Sequence, residues 1–340
     1  MSELKEKEII RIGHGSGGKL THDLIHGIIQ KHLGNTILND FLDSAVVDVQ
    51  DTRIVFTTDS YIVKPLFFPG GDIGKLSVTG TINDLAMLGA VPLYLSLGLI
   101  IEEGFSIADL EKIIFSIKQV CEKSCVKIVT GDTKVVERGK GDGLYINTAG
   151  VGILNKGFSI NSASIKPGDK IIINGGIGEH GAAIICSRGL FEFESTIKSD
   201  CAPLHEIVKE LIESGVSIKF MRDPTRGGLA TVLTELAERI QYNIMIEETS
   251  IPVKEEVKSI CEFVGFDPLY LANEGKFIAV IEQKDVKKAL DILHRCELGQ
   301  DAALIGEIEN CKDSRVLIRT LIGSTRLVEM MLEDQLPRIC

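Results

Sequence analysis

Between Lys75 and Glu102 the chain carries a single charge, Asp84, so residues 76–101 pass the length test for a membrane span. Such a segment must be buried either in lipid or in the protein's own core. Its composition argues for the core. Asn83-Asp84 lies inside it, Pro92 interrupts it, and Gly80, Gly89 and Gly98 punctuate it. An uncompensated Asp in lipid is expensive. The pattern predicts a helix over 74–88, a turn at 89–92 and a buried strand over 93–100. No membrane association is expected.

At 340 residues the chain exceeds the size of an ordinary single core, which suggests two domains. Apolar runs of strand length at 53–57, 127–130 and 144–152 alternate with helical patterns at 21–33 and 107–123. In the second helix Leu110, Ile113, Ile114, Ile117 and Val120 share one face. The small, polar stretch 155–164 and the turn Lys166-Pro-Gly-Asp169 separate a domain at 1–155 from one at 166–334, with a mobile tail at 335–340. The second half predicts strands at 170–174, 243–247 and 276–282, and helices at 204–214, 228–240 and 325–333. The fold class is α/β (α+β).

Charge and cysteine usage narrow the function. With 37 basic and 48 acidic residues the net charge is -11, which excludes a general nucleic-acid binder. Magnesium can still bridge an acidic protein to an anionic nucleotide. Eight cysteines with no paired CxxC spacing give neither a disulfide scaffold nor a zinc module. The charged start Met1-Ser-Glu-Leu-Lys-Glu-Lys-Glu8 lacks the apolar core of a secretory signal, so the expected compartment is the reducing cytoplasm.

Several motifs invite chemistry and each has a plain structural reading. Gly13-His-Gly-Ser-Gly-Gly-Lys19-Leu20 misses a P-loop at its last position, since Leu20 cannot ligate magnesium and residues 9–12 are short for a central strand. A glycine loop covering phosphates by other means remains open. Gly176-Ile-Gly-Glu-His-Gly181 fits a dinucleotide fingerprint, with Glu194 or Asp200 as ribose ligand, but reads better as a tight turn before a short helix. His22 and His26 lack the Glu of HExxH and read as surface or cap residues; Cys121 and Cys125 read as small core residues. Five acidic residues stand in turn-like contexts, mostly after apolar runs: Asp43, Asp59, Asp84, Asp132 and Asp223. Singly they are caps and turns; together they fit a magnesium-nucleotide site. The chain ends on Cys340, where a thiol on a short tether can serve as a nucleophile or a carrier.

With those residues in place, the chain resembles the HypE family of hydrogenase maturation proteins, within the AIR-synthetase-like (PurM-like) ATP-binding superfamily. The resemblance is near full length. It rests on His14-Gly-Ser-Gly-Gly-Lys19, Phe56-Thr-Thr-Asp-Ser60, Phe68-Pro-Gly-Gly-Asp-Ile-Gly-Lys75 and Gly80-Thr-Ile-Asn-Asp-Leu-Ala-Met87. Thr130-Gly-Asp-Thr-Lys-Val135, Gly178-Glu-His-Gly181, Met221-Arg-Asp-Pro-Thr-Arg-Gly-Gly-Leu229, Ala272-Asn-Glu-Gly-Lys276 and the terminal Pro337-Arg-Ile-Cys340 complete it.

The resemblance implies a two-domain PurM-like fold, with an N-terminal domain that dimerises into a shared β-barrel flanked by helices and a C-terminal α/β sandwich. It implies that a carbamoyltransferase, HypF, places a carboxamide on Cys340, and that ATP drives its dehydration to a thiocyanate. The cyano group then passes to hydrogenase iron on a HypC–HypD complex. It further implies Cys340, Glu274 and Lys134 as catalytic residues, and magnesium on Asp43, Asp84 and Asp132. ATP would contact Gly15, Ser16, Gly17, Gly18, Lys19, Asp59, Asn83 and Asp223. A sister synthetase acting on a small molecule, such as AIR synthetase, has no need of a terminal cysteine. Selenophosphate synthetase would want a thiol or selenol where this chain has Ser16.

Overall fold

The computed structural model describes residues 9–15, 17–40, 42–154, 157–189, 195–311, 313–331 and 338–340. Ser16 lies outside the described residues. After a 3-10 turn at Ile12–Gly15, a helical run carries α1 (Lys19–Leu24), a π-helical turn Ile25–Gln30 and α2 (Lys31–Leu33). None of its residues is buried, so it lies on the body rather than inside it.

The first domain follows the apolar pattern closely. Its elements are β1 (Ala45–Val49), β2 (Thr52–Tyr61), the short pair β3 (Phe67–Phe68) and β4 (Gly71–Asp72), α3 (Ile73–Met87), β5 (Ala90–Glu102), α4 (Ile107–Lys123), β6 (Lys127–Val136) and β7 (Leu144–Leu154). The five longer strands form one sheet in the order β1-β2-β7-β5-β6, antiparallel except for β5 with β6. Helix α3 starts where Asp72 Oδ1 accepts the amides of Gly74 at 2.7 Å and Lys75 at 3.0 Å. It is buried nearly all round because the sheet covers one side and the second domain the other: Leu76 and Ile82 join the first core, while Ala86 and Met87 join a core of the second domain. The segment 76–101 is therefore a helix followed by a strand. No helix among the described residues is long and apolar enough to cross a membrane.

The second domain holds β8 (Lys170–Ile173), α5 (Glu179–Ser187), α6 (His205–Glu213), β9 (Ile218–Arg222), α7 (Gly228–Ile240), β10 (Asn243–Glu247), α8 (Glu255–Val264), β11 (Ile278–Ile281), α9 (Val286–Leu293), β12 (Ala303–Glu309), β13 (Val316–Arg319) and β14 (Thr325–Val328). Its seven-stranded sheet runs β14-β13-β10-β12-β8-β11-β9, and only β10 and β13 pair in parallel. Strand alternation divides the core: Ile171 and Ile173 face α7, whereas Ile172 faces α6 and α9.

Two expectations from sequence fail here. Residues 325–328 form β14 rather than the start of a helix. A turn at Gly323 returns the chain onto β13, and Val328 pairs with Val316 and is buried. Pairing with an existing edge overrides the weak local helical pattern. Cys121 is buried as expected, but Cys125 is exposed at φ +55 in the turn after α4.

Candidate active site

The acidic residues that sequence singles out mostly converge. Asp43 precedes β1, Asp59 lies on β2, Asp84 on α3, Asp223 just beyond β9, and Glu274 in the loop before β11. Each has its carboxyl pushed above the usual range, first by burial. Mutual repulsion adds to this. Asp223, Asp59 and Asp43 raise Asp84, while Asp223, Asp200 and Asp59 raise Glu274. Asp43 reaches about 6, although Arg222 Nε sits 2.9 Å from its Oδ1 and opposes the shift. Thr57 Oγ1 donates to Asp84 Oδ2 at 2.8 Å. Glu274 Oε1 is buried with no hydrogen-bond partner among the described residues.

A concentration of negative charge with an orphaned carboxyl oxygen fits a site completed by a cation. No three His, Cys, Asp or Glu among the described residues form a ready-made cage.

The loop around Glu274 is tightly built. Asp200 accepts the amides of Glu274 at 3.1 Å and Gly275 at 3.2 Å. Asn83 is 1% exposed; its amide donates to the carbonyls of Ala202 and Glu274, and its oxygen accepts from Leu204 N at 2.8 Å. Asn83, expected at the nucleotide, is thus committed to holding the Glu274 loop from behind. A Cβ on Gly275 would lie 2.0 Å from the Asp200 carbonyl oxygen. Gly275→Ala is expected to cost roughly 2 kcal/mol or more and to displace Glu274, because neither backbone can yield in a packed loop. Thermal denaturation and turnover of the variant check this, and an unchanged melting temperature would contradict it.

The glycine loop meets this cluster through Arg226. Its Nη1 donates to Gly15 O at 2.8 Å, and Nη2 lies 3.7 Å from Asp59 Oδ1. Gly17 adopts φ +83, and a Cβ there would sit 3.0 Å from Arg226 Cβ, so glycine is required on both counts. Gly18 caps α1 and Lys19 is exposed on its first turn. Among the described residues no strand precedes the loop, and Leu20 stands where a P-loop needs Ser or Thr.

The last residues reach the same place. Cys340 is 7% exposed, and its negative charge is the largest influence raising the pKa of Arg226, followed among the acidic groups by Asp59 and Glu274. One guanidinium therefore spans the chain end, the glycine loop and the acidic cluster.

Asp132 and Lys134 do not join them. They pair with each other at 2.8 Å on β6, each side chain 70% exposed. β6 lies three strands from the Asp59 strand in the sheet order, roughly 14 Å at normal strand spacing. The sequence motifs gave no role to Arg222, Arg226, Glu235 or His180, the last lying within Gly178-Glu-His-Gly181. Both arginines flank Asp-Pro-Thr in one of those motifs, and Asp200 entered only as a ribose ligand. His22, read as a surface residue, contacts Glu235 at 2.7 Å; Glu235 pairs with Arg222, which pairs with Asp43.

The dinucleotide alternative also falls. Gly178 N donates to Asn273 Oδ1 at 2.7 Å, α5 has only nine residues, and β8 is antiparallel to both neighbours. No parallel-sheet crevice exists there for a cofactor.

A stability consequence follows from the raised carboxyls. Folded pKa values above unfolded ones mean that the folded chain holds extra protons between about pH 4 and the raised values. That contribution is full below pH 4 and is lost as pH rises through 6, the value for Asp43. The nucleotide-free chain is expected to lose melting temperature from pH 5 to 7, and magnesium with nucleotide to restore it. A melting temperature that climbs across this window, indifferent to magnesium, would contradict the cluster.

Fold and acidic cluster together match ATP-binding proteins of the AIR-synthase type. Residues 42–154 match the N-terminal domain of AIR synthase related proteins, and residues 166–319 the C-terminal domain. The chain is 47% identical over 332 residues to carbamoyl dehydratase HypE of Rhizobium leguminosarum bv. viciae, covering 97% of this chain and 95% of that protein. Among solved structures, a HypE–HypF complex superposes with TM-score 0.86 at 46% identity, covering 91% of this chain and 99% of that one. HypE in complex with ATP gives TM-score 0.81 at 42% identity, with 98% and 100% covered. The chain belongs to the carbamoyl dehydratase HypE family.

Proposed function

We propose that this chain dehydrates an S-carboxamide on its own Cys340 to a thiocyanate, using ATP, and so supplies a cyanide ligand for [NiFe]-hydrogenase iron. The observation that carries this is the placement of the chain end: Cys340 O accepts from Ile62 N, directly after the strand that carries Asp59, and Arg226 joins that Asp59 to the glycine loop.

The chemical obstacle is the amide oxygen, a poor leaving group. Its attack on the γ-phosphoryl group releases ADP and leaves the oxygen as a phosphate ester. The C–O bond then breaks with its electrons going to phosphate, one nitrogen proton passes to Glu274 and the other to the departing phosphate, and C≡N forms. Glu274, buried and with one oxygen unpartnered among the described residues, accepts a proton from that nitrogen. Arg226 holds the glycine loop through Gly15 O, and that loop would cover the phosphates. Asp43, Asp84, Asp59 and Asp223 would hold magnesium, which when bound neutralises phosphate charge.

Asp132 and Lys134 lie too far from this cluster to act on it within one chain. They sit on a sheet edge with Val129 and Val135 exposed by 59% and 67%. A second copy joined along the first domains, closing a shared barrel, would carry them to a partner's cleft. HypF as carbamoyl donor is supported by the likeness to the HypE–HypF complex, and a HypC–HypD complex would accept the cyano group. Eight free thiols and an ATP-driven reaction fit the cytoplasm. The test is turnover: ATP consumption should require a carbamoylated Cys340, and ATP hydrolysis indifferent to the tail would favour a small-molecule synthetase.

A further inference from the structure

The last three residues are held in the manner of a bound peptide. Ile62 N donates to Cys340 O at 3.3 Å and Lys64 N to Arg338 O at 3.1 Å, an antiparallel register that extends β2 beyond Tyr61. Alternate main-chain bonds of this kind are how an added strand gains affinity, and side-chain pockets supply its specificity. His180, fully buried, meets Ile339 O through Nε2 at 2.8 Å while Nδ1 meets Ser199 Oγ at 2.8 Å; the Phe68 ring packs edge-on against it at 5.5 Å. Arg188 donates to Arg338 O at 3.0 Å and to Lys64 O at 3.1 Å. Ile339 is 2% exposed within the first core. The Arg338 guanidinium pairs with Asp142, which also takes Lys64 Nζ at 2.9 Å. Arg338 is held at φ +59, a conformation that a non-glycine residue keeps only where its surroundings impose it.

The contacts that hold the tail are made to residues 338–340 themselves, and none of them depends on the covalent link to the domain. We infer that the groove between β2, α5 and the turn at Asp142 is a peptide-recognition site for a C-terminal Arg-Ile-Cys, that Asp142 selects the arginine, and that a separate chain with this ending binds it in trans. This rests on the proposed function for its biological meaning, but its recognition step needs neither ATP nor a carbamoyl donor. His180 and Arg188 read main-chain carbonyls and so accept any sequence; Asp142 and the Ile339 pocket supply the selection.

The test uses full chains whose own tail is repelled from the groove, Arg338→Glu and Asp142→Arg, and two fluorescein-labelled peptides, Leu-Pro-Arg-Ile-Cys and Leu-Pro-Glu-Ile-Cys. In fluorescence anisotropy the Arg338→Glu chain is expected to prefer the arginine peptide by tenfold or more, and the Asp142→Arg chain to reverse that preference. The unaltered chain, with its groove filled, should bind either peptide at least tenfold more weakly. Equal affinity of the two peptides for both variants, or no binding to either, overturns the inference. Alkylation of Cys340 in the full-length Asp142→Ala chain, followed by peptide mass mapping, reads the same contact without added peptide. A severalfold faster rate supports it and an unchanged rate overturns it. Selective peptide binding by a chain that never gains mass from a carbamoyl donor would refute the proposed function and leave the recognition site standing. Covalent turnover without selective binding would do the opposite.

Discussion

Glu274→Gln is expected to let Cys340 accept a carboxamide and then stop, so the chain accumulates at its mass plus about 43 Da without the later loss of about 18 Da, since the residue acts on the covalent intermediate. The substitution keeps the shape of the side chain, which is 3% exposed, and leaves the Asp200 and Asn83 bonds to the loop backbone intact. Only the proton-accepting function disappears. General-base catalysis contributes roughly 10²–10⁴-fold, and the dehydration rate should fall by that order. The fall should appear in the rate of nitrile formation with ATP affinity little changed. A variant that dehydrates at the original rate would remove Glu274 from the mechanism.

The second large effect is a trade of stability against activity at Asp84. Its carboxyl is raised by burial and then by Asp223, Asp59 and Asp43, with Thr57 its opposing hydrogen bond. Asp84→Asn removes one member of a crowded anionic set and keeps an oxygen to accept from Thr57 Oγ1. Relief of buried like charge is worth on the order of 1–3 kcal/mol, so the nucleotide-free variant should melt higher than the original at pH 7. The gain should shrink toward pH 4, where the original carboxyls are protonated. Magnesium-nucleotide stabilisation and ATP turnover should both be lost. Equal melting temperatures at pH 7, or retained stabilisation by magnesium with nucleotide, would contradict a cation role for this carboxylate.

Much of this arrangement can be read from sequence, for physical reasons that differ by element. Helix α3 was legible because a nearly uncharged stretch must find a core, and α4 because its apolar residues keep helical spacing; β5 is the strand expected but not the buried one, since Val91, Tyr94 and Ile100 are exposed on it. Strand β14 was not legible, since it owes its conformation to an edge that β13 offers rather than to local pattern. The carboxylates announced themselves by following apolar runs. Their counter-ions did not: Arg222 and Arg226 acquire meaning only when β9 and the loop after it are laid beside Asp43, Asp59 and Gly15. Asn83 shows the reverse limit. Its motif suggested the nucleotide, yet its place on the buried side of α3 turns its amide toward the Glu274 loop. Asp132 and Lys134, whose motif pointed to the same site, pair with each other on an exposed edge strand instead.

The central claim is that the protein is its own substrate, and intact mass measures it most directly. The full chain, incubated with HypF, carbamoyl phosphate and ATP, should gain about 43 Da and then lose about 18 Da, both changes mapping to Cys340 and both absent from Cys340→Ala, as expected for covalent chemistry on one thiol. A chain whose mass never changes while a small amide or amidine is turned over with ATP would contradict the account and leave a sister synthetase in its place.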